Sequence, residues 1–166
     1  MKRRKMKKLR IFQFIFVMIS LCSTLSAQGK PVQLALFNPI QLFSENTSIT
    51  GLRLSLIYGK NTSVTGLDWG LVSHTTSGTS TGVQFGFLGI NEADFIGWQD
   101  TGININHGSF EGLQLGLVNY AGAVNGVQIG FVNYAANMKK GLQIGIVNII
   151  KQGGQFPFFP IVNWAL

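Results

Sequence analysis

Two histidines are the natural places to look for chemistry in this chain: His74 in Ser73-His74-Thr75-Thr76 and His107 in Asn106-His107-Gly108-Ser109. Imidazole binds transition metals and moves protons near neutral pH. A metal site would need a second histidine or a carboxylate at ligand spacing, and neither segment supplies one. Both are therefore expected as turn residues. Asp94 and Asp100 form a carboxylate pair of the kind used in acid–base work, but solvated loop acids are the expected outcome. Serine and threonine are plentiful, yet no Gly-x-Ser-x-Gly elbow occurs for nucleophilic attack. Gly-x-Gln-x-Gly recurs, but no Lys-Ser/Thr follows it and no helix begins there, which excludes a phosphate loop. The expectation is a non-enzyme with no catalytic residue, no cofactor and no metal.

The strong basic charge of the chain is concentrated in its first residues. Met1 to Arg10 holds 7 of the 13 lysines and arginines; an apolar run from Ile11 to Leu21 and the small-residue stretch Ser23-Thr24-Leu25-Ser26-Ala27 follow. A charged segment, a short apolar segment and a small-residue close make a secretory signal peptide, expected over residues 1–27 with cleavage after Ala27. The apolar run is short for a membrane anchor, which needs about 20 residues. Bulky Leu21 before Cys22 speaks against lipidation of that cysteine. Beyond the leader, six basic residues face six acids, so the net charge falls from +7 to near zero. A nucleic-acid partner is not expected, and the single cysteine leaves with the leader.

What remains is one domain, residues 28–166, dominated by a repeat. Gly112-Leu113-Gln114-Leu115-Gly116-Leu117-Val118-Asn119 returns as Gly126-Val127-Gln128-Ile129-Gly130-Phe131-Val132-Asn133 and as Gly141-Leu142-Gln143-Ile144-Gly145-Ile146-Val147-Asn148. Weaker copies start at Gly51, Gly66, Gly82 and Gly97, and altered terminal copies near 31 and 156. Successive glycines from 51 to 141 are 14 to 16 residues apart. A fixed short period with atypical end copies is the mark of a stacked array. Numbering the first glycine zero, positions +1, +3 and +5 are apolar, while 0, +2 and +4 are Gly, Gln and Gly. Alternation of period two places these sets on opposite faces of a strand. Another apolar residue recurs before the next glycine: Val64, Phe95, Phe110, Val124 and Met138.

An all-β solenoid, or β-roll, with coils of about 15 residues is the expected fold. The +1/+3/+5 side chains are expected to fill its interior, with Ile129 a central core position. Asn38, Asn104, Asn119, Asn133, Asn148 and Asn163 are expected to stack as a structural ladder at a turn. The outward face is then expected to carry Gln33, Gln84, Gln99, Gln114, Gln128 and Gln143, a possible interaction surface or a merely solvated one. Asp100, at +3, breaks the apolar pattern and is expected to distort its copy. The alternative is an outer-membrane barrel of 8–10 strands, in which +1/+3/+5 would face lipid.

The G-(L/V)-Q-(I/L)-G-(L/F/I)-V-N copies, with the closing Phe156-Pro157-Phe158-Phe159-Pro160-Ile161-Val162-Asn163, resemble a family of bacterial surface repeat-containing proteins. That family was named from a leptospiral example and occurs in several Gram-negative groups. The resemblance covers essentially the whole repeat domain. It implies export to the cell surface or outer membrane, with periplasmic or extracellular release as alternatives. It supplies no catalytic residue. A structural or binding role is expected, with an outer-membrane or envelope protein or a glycan as partner and no small-molecule substrate; the rival is a small pore. Oligomeric state is left open.

Overall fold

The computed structural model describes residues 29–166, so the expected leader lies outside the described residues. The chain forms β1 (Lys30–Phe37), β2 (Ile40–Gln41), β3 (Ile49–Asn61), β4 (Val64–Thr75), β5 (Ser80–Asn91), β6 (Phe95–Leu115), β7 (Val118–Ile129), β8 (Val132–Gln152) and β9 (Phe158–Ala165). Among the described residues there is no helix. The strands follow one another in a single sheet, and every pair from β1–β3 to β7–β8 is parallel. Parallel neighbours one repeat apart make a solenoid of about eight turns. An up-and-down barrel requires antiparallel neighbours and a closed strand order, so that alternative is overturned.

Register follows the repeat. Gly51 lies beside Gly66, Gly66 beside Gly82 and Gly82 beside Gly97, and Gly112, Gly126 and Gly141 align likewise. The degenerate copies at Gly66, Gly82 and Gly97 thus keep the register of the regular ones, and Asp100 sits opposite Phe85 without shifting it. The zero position demands glycine for a local reason. At Gly112 the backbone has φ +126°, and a Cβ would overlap the carbonyl oxygen of Gly97 in the coil below. Extra residues are absorbed as bulges, for example between Ser55 and Tyr58.

The two ends depart from the repeat. β2 folds back antiparallel on β1, and β9 runs antiparallel to β8, with Asn163 opposite Gln143. The final segment is therefore a cap rather than a ninth coil. Proline in β9 removes a ladder donor from what would otherwise be an open edge.

The inside and outside of the coil are the reverse of the expectation. Gln33, Gln84, Gln99, Gln114, Gln128 and Gln143 are all 0% exposed. Ile129 is 38% exposed, Phe131 61% and Ile146 66%. The +1/+3/+5 residues form the outer surface and the glutamines the interior, so neither the expected core nor the expected glutamine interaction face exists. The glycines explain why. A Cβ on Gly116, Gly130 or Gly145 would lie 2.6–2.8 Å from the Nδ2 of Asn104, Asn119 or Asn133 respectively. The asparagine amides occupy the space inside position +4, which leaves no room for an inward leucine there. Apolar packing is confined to other rows. Phe95, Phe110, Ala121, Val124, Ala135, Met138, Ile150 and Ala165 form the buried cluster, with the Phe95 and Phe110 rings stacked at 6.1 Å.

Candidate functional site

Two amide ladders run through the interior. Gln99 donates to Gln84 at 2.7 Å, Gln114 to Gln99 at 2.9 Å, Gln128 to Gln114 at 2.7 Å and Gln143 to Gln128 at 2.7 Å. In-register parallel coils, about 4.8 Å apart, set equivalent amides at the distance for head-to-tail bonding, which offsets the cost of burying them. The direction of donation is dictated at one end. Gln84 donates to the Asp68 carboxylate at 2.8 Å, and a carboxylate can only accept. Asp68 is in turn gripped by Arg53 through Nε and Nη2, both at 2.7 Å. At the other end, Gln143 Oε1 has no partner among the described residues, because β9 replaces the next parallel coil.

The second ladder comprises Asn104, Asn119, Asn133 and Asn148, each donating to the next at 2.8 Å. It runs in the opposite sense, with Thr101 Oγ1 donating to Asn104 Oδ1 at its start. The expected asparagine stack is thus real over four coils, and two proposed members fall outside it. Asn38 lies just past the paired part of β1, with its backbone N–H donating to the Tyr58 carbonyl and its side-chain amide donating to Glu45 instead of to another asparagine. Asn163 is buried on the reversed strand and donates to the Phe156 carbonyl. Nor is the stack a left-handed turn: Ile161 is the one non-glycine with positive φ among the described residues. The asparagines point inward from extended chain.

Each of these groups is consumed in holding coil to coil. The outside differs. Eight coils display +1, +3 and +5 side chains, and of these twenty-four positions only Asp100 and Gly102 are not apolar. Leu56, Trp69, Leu71, Phe87 and Leu117 are at least half exposed. Between the +3 and +5 rows the floor is made of small residues, among them Ser55, Gly70 and Gly86. The result is an apolar groove of about 1110 Å³ along the N-terminal coils, walled at one end by Ile40 and Leu42.

A third cluster was not legible in the sequence. Glu92 accepts from His74 Nε2 at 3.2 Å and from His107 Nδ1, joining the two histidines across successive coils. Tyr58 Oη lies 2.8 Å from His74 Nδ1; because the Glu92 carboxylate can only accept at Nε2, a neutral His74 carries its proton there and accepts from Tyr58 at Nδ1. Both histidines lie on strands, His74 in β4 and His107 in β6, rather than in turns. Burial lowers the His74 pKa against the opposing pull of Glu92, and the hydrogen bond from His107 holds Glu92 below the ordinary carboxylate range. No arrangement of three or more His, Cys, Asp or Glu able to hold a metal occurs among the described residues. Asp94 and Asp100 are used separately. Asp94 accepts the Ser109 amide, and Asp100 stands in the apolar face.

The fold and its surfaces define a β-solenoid repeat protein with a hydrogen-bonded polar interior and an apolar sheet face turned outward. Comparison with known proteins finds no matching family, no matching curated protein and no matching solved structure.

Proposed function

We propose that this protein is an exported, non-catalytic scaffold of the Gram-negative cell envelope that works by docking its apolar sheet face. The observation that carries the proposal is the outward array from Val32 to Ile146, interrupted only at Asp100 and Gly102, in which leucine, isoleucine, phenylalanine and tryptophan are exposed on coil after coil. Soluble monomers rarely expose apolar patches beyond a few hundred Å², and larger ones mark association sites. The leader-like N-terminus and the resemblance to surface repeat proteins support the envelope as its location. The groups that could do chemistry are engaged in the two ladders, in the Arg53–Asp68 pair and in the Glu92 cluster, which supports a binding rather than a catalytic role.

Cysteine labelling tests this reading, because Cys22 is the one native cysteine and belongs to the expected leader. Leu117→Cys, on the face, and Lys151→Cys, on an exposed coil end, are each expressed from the full chain. They are treated with a membrane-impermeant maleimide on intact cells and again after the outer membrane is opened. Lys151→Cys is expected to label readily and Leu117→Cys to be protected. A Lys151→Cys chain that labels only after cell lysis rejects the exported location. Equal labelling of the two positions on exported protein rejects docking through the face.

A further inference from the structure

The occupant of the apolar face can be deduced from the dimensions, periodicity and one charge of that face. We infer that a second copy of this chain covers it, the two sheets packing face to face as a closed pair; this rests on the docking role proposed above. The area is the first argument. Eight coils at about 4.8 Å per coil, each contributing a stretch of five residues at about 3.3 Å with three side chains outward, give a footprint of roughly 700 Å² once side-chain width is included. Interfaces of standard size bury about 600–1,000 Å² per partner, so one whole face falls within that range and half of it would not.

Periodicity is the second argument. Each face is a set of ridges, the +1, +3 and +5 rows, and the groove between the +3 and +5 rows is floored by Ser55, Gly70 and Gly86. A partner can fill such a groove along its length only if its own side chains recur with the coil spacing. This chain has that spacing by construction, and packed sheets of this kind sit about 10 Å apart with interdigitating side chains. Ile40 and Leu42 wall off the N-terminal end of the groove. A second copy cannot slide past that wall, so the association closes on itself as a two-fold pair instead of continuing into a filament.

The third argument separates protein from lipid. Asp100 stands in the +3 row in the middle of the face, opposite Phe85. A carboxylate pressed into hydrocarbon is costly and finds no donor there. A protein interface depletes charges from its core but can still satisfy a single carboxylate with a facing donor or a trapped water, which hydrocarbon cannot. The near-zero charge of the repeat domain also provides no attraction to an anionic membrane surface.

The test uses the chain expressed with its own leader, purified without detergent, and measured by sedimentation equilibrium beside circular dichroism. The expected mass is twice that of one chain. Ile129→Lys and Ile144→Lys, both at outward positions, are expected to keep the native spectrum and to dissociate. Their affinity should weaken on the order of 1000-fold, because a two-fold interface carries each substitution twice. Tyr134→Lys, on a different side of the coil, is expected to remain paired. A pair that survives both face substitutions with native spectra overturns the inference, as does native protein that is monomeric or forms open-ended polymers. Vesicles of zwitterionic lipid distinguish the two levels of failure. A monomer that binds them removes the second copy and leaves docking intact, with lipid as occupant; a monomer that ignores them and labels freely at Leu117→Cys removes both.

Discussion

Replacing Asp68 by asparagine should be among the most damaging single-atom changes available in this molecule. The carboxylate accepts four hydrogen bonds: from Arg53 Nε and Nη2 at 2.7 Å each, from Gln84 Nε2 at 2.8 Å and from Ser73 Oγ at 3.1 Å. An asparagine keeps one oxygen and turns the other acceptor into a donor. If the amide nitrogen takes the position facing Gln84, two NH₂ groups meet, and relief would require every glutamine up to Gln143 to reverse. Reversal is opposed by Asn91 and Asn106, which donate to Gln84 Oε1 and Gln99 Oε1. If the nitrogen faces the other way, it meets Arg53 Nε. Either way a fully buried guanidinium loses its counter-charge, and removing one partner of a buried pair costs about 3–5 kcal/mol. That is a large share of the roughly 5–15 kcal/mol that stabilises a typical domain. The double substitution Arg53→Gln with Asp68→Gln should recover most of the loss, because it continues the ladder with the residue used in the five coils that follow. Urea unfolding followed by circular dichroism gives both values. A cost below about 1 kcal/mol for Asp68→Asn, or a double variant no better than the single one, would refute the account of how the interior is held.

Two further predictions follow from the backbone and from the Glu92 cluster. Gly112→Ala, which needs both a positive φ and a Cβ where Gly97 already sits, is expected to cost more than about 3 kcal/mol or to prevent folding; Gly78→Ala, at φ +74° but with only ordinary contact to the Ser63 side chain at 3.9 Å, should cost only about 1 kcal/mol, and thermal melts compare the two. Acidification should lower the melting temperature. The folded-state pKa values of His74 and Glu92 are both depressed, so each contributes stability that is present above its unfolded value and is lost as pH falls through the folded one: His74 from about pH 6.5 downward, Glu92 below the ordinary carboxylate range. A melting temperature that rises between pH 7 and pH 5 would contradict this, and Glu92→Gln should flatten the acidic limb.

The spacing of the glycines was enough to define a stacked all-β array and the asparagine stack from Asn104 to Asn148. It was not enough to say which side of the strand faces inward, because alternation separates two faces without labelling them. The missing label was size. Glycine at both zero and +4 flanks the glutamine, and small residues on either side of a long amide belong where the opposite wall is close. Hydrophobicity alone pointed the other way, since leucine is ordinarily inside; here stacked amides satisfy one another and take that place. Ile129, assigned to the core by the same logic, is an outward residue. Asn38 and Asn163 were misassigned for a different reason. Both lie in end segments where the chain bulges or reverses, and a local octet match cannot report a change of direction. Glu92 escaped notice because its partners are 18 and 15 residues away, neighbours only after the coils are stacked.

The two amide ladders pass from one coil to the next by the same handshake at every step between Gly97 and Asn148, and their ends are handled by dedicated pieces, the Arg53–Asp68 pair and the reversed β9. Length is therefore an adjustable quantity in this design. Duplicating or excising a whole unit such as residues 126–140 changes the rod by about 4.8 Å while each terminus keeps its own fittings, so gene-level expansion of the repeat would act as a ruler rather than as damage.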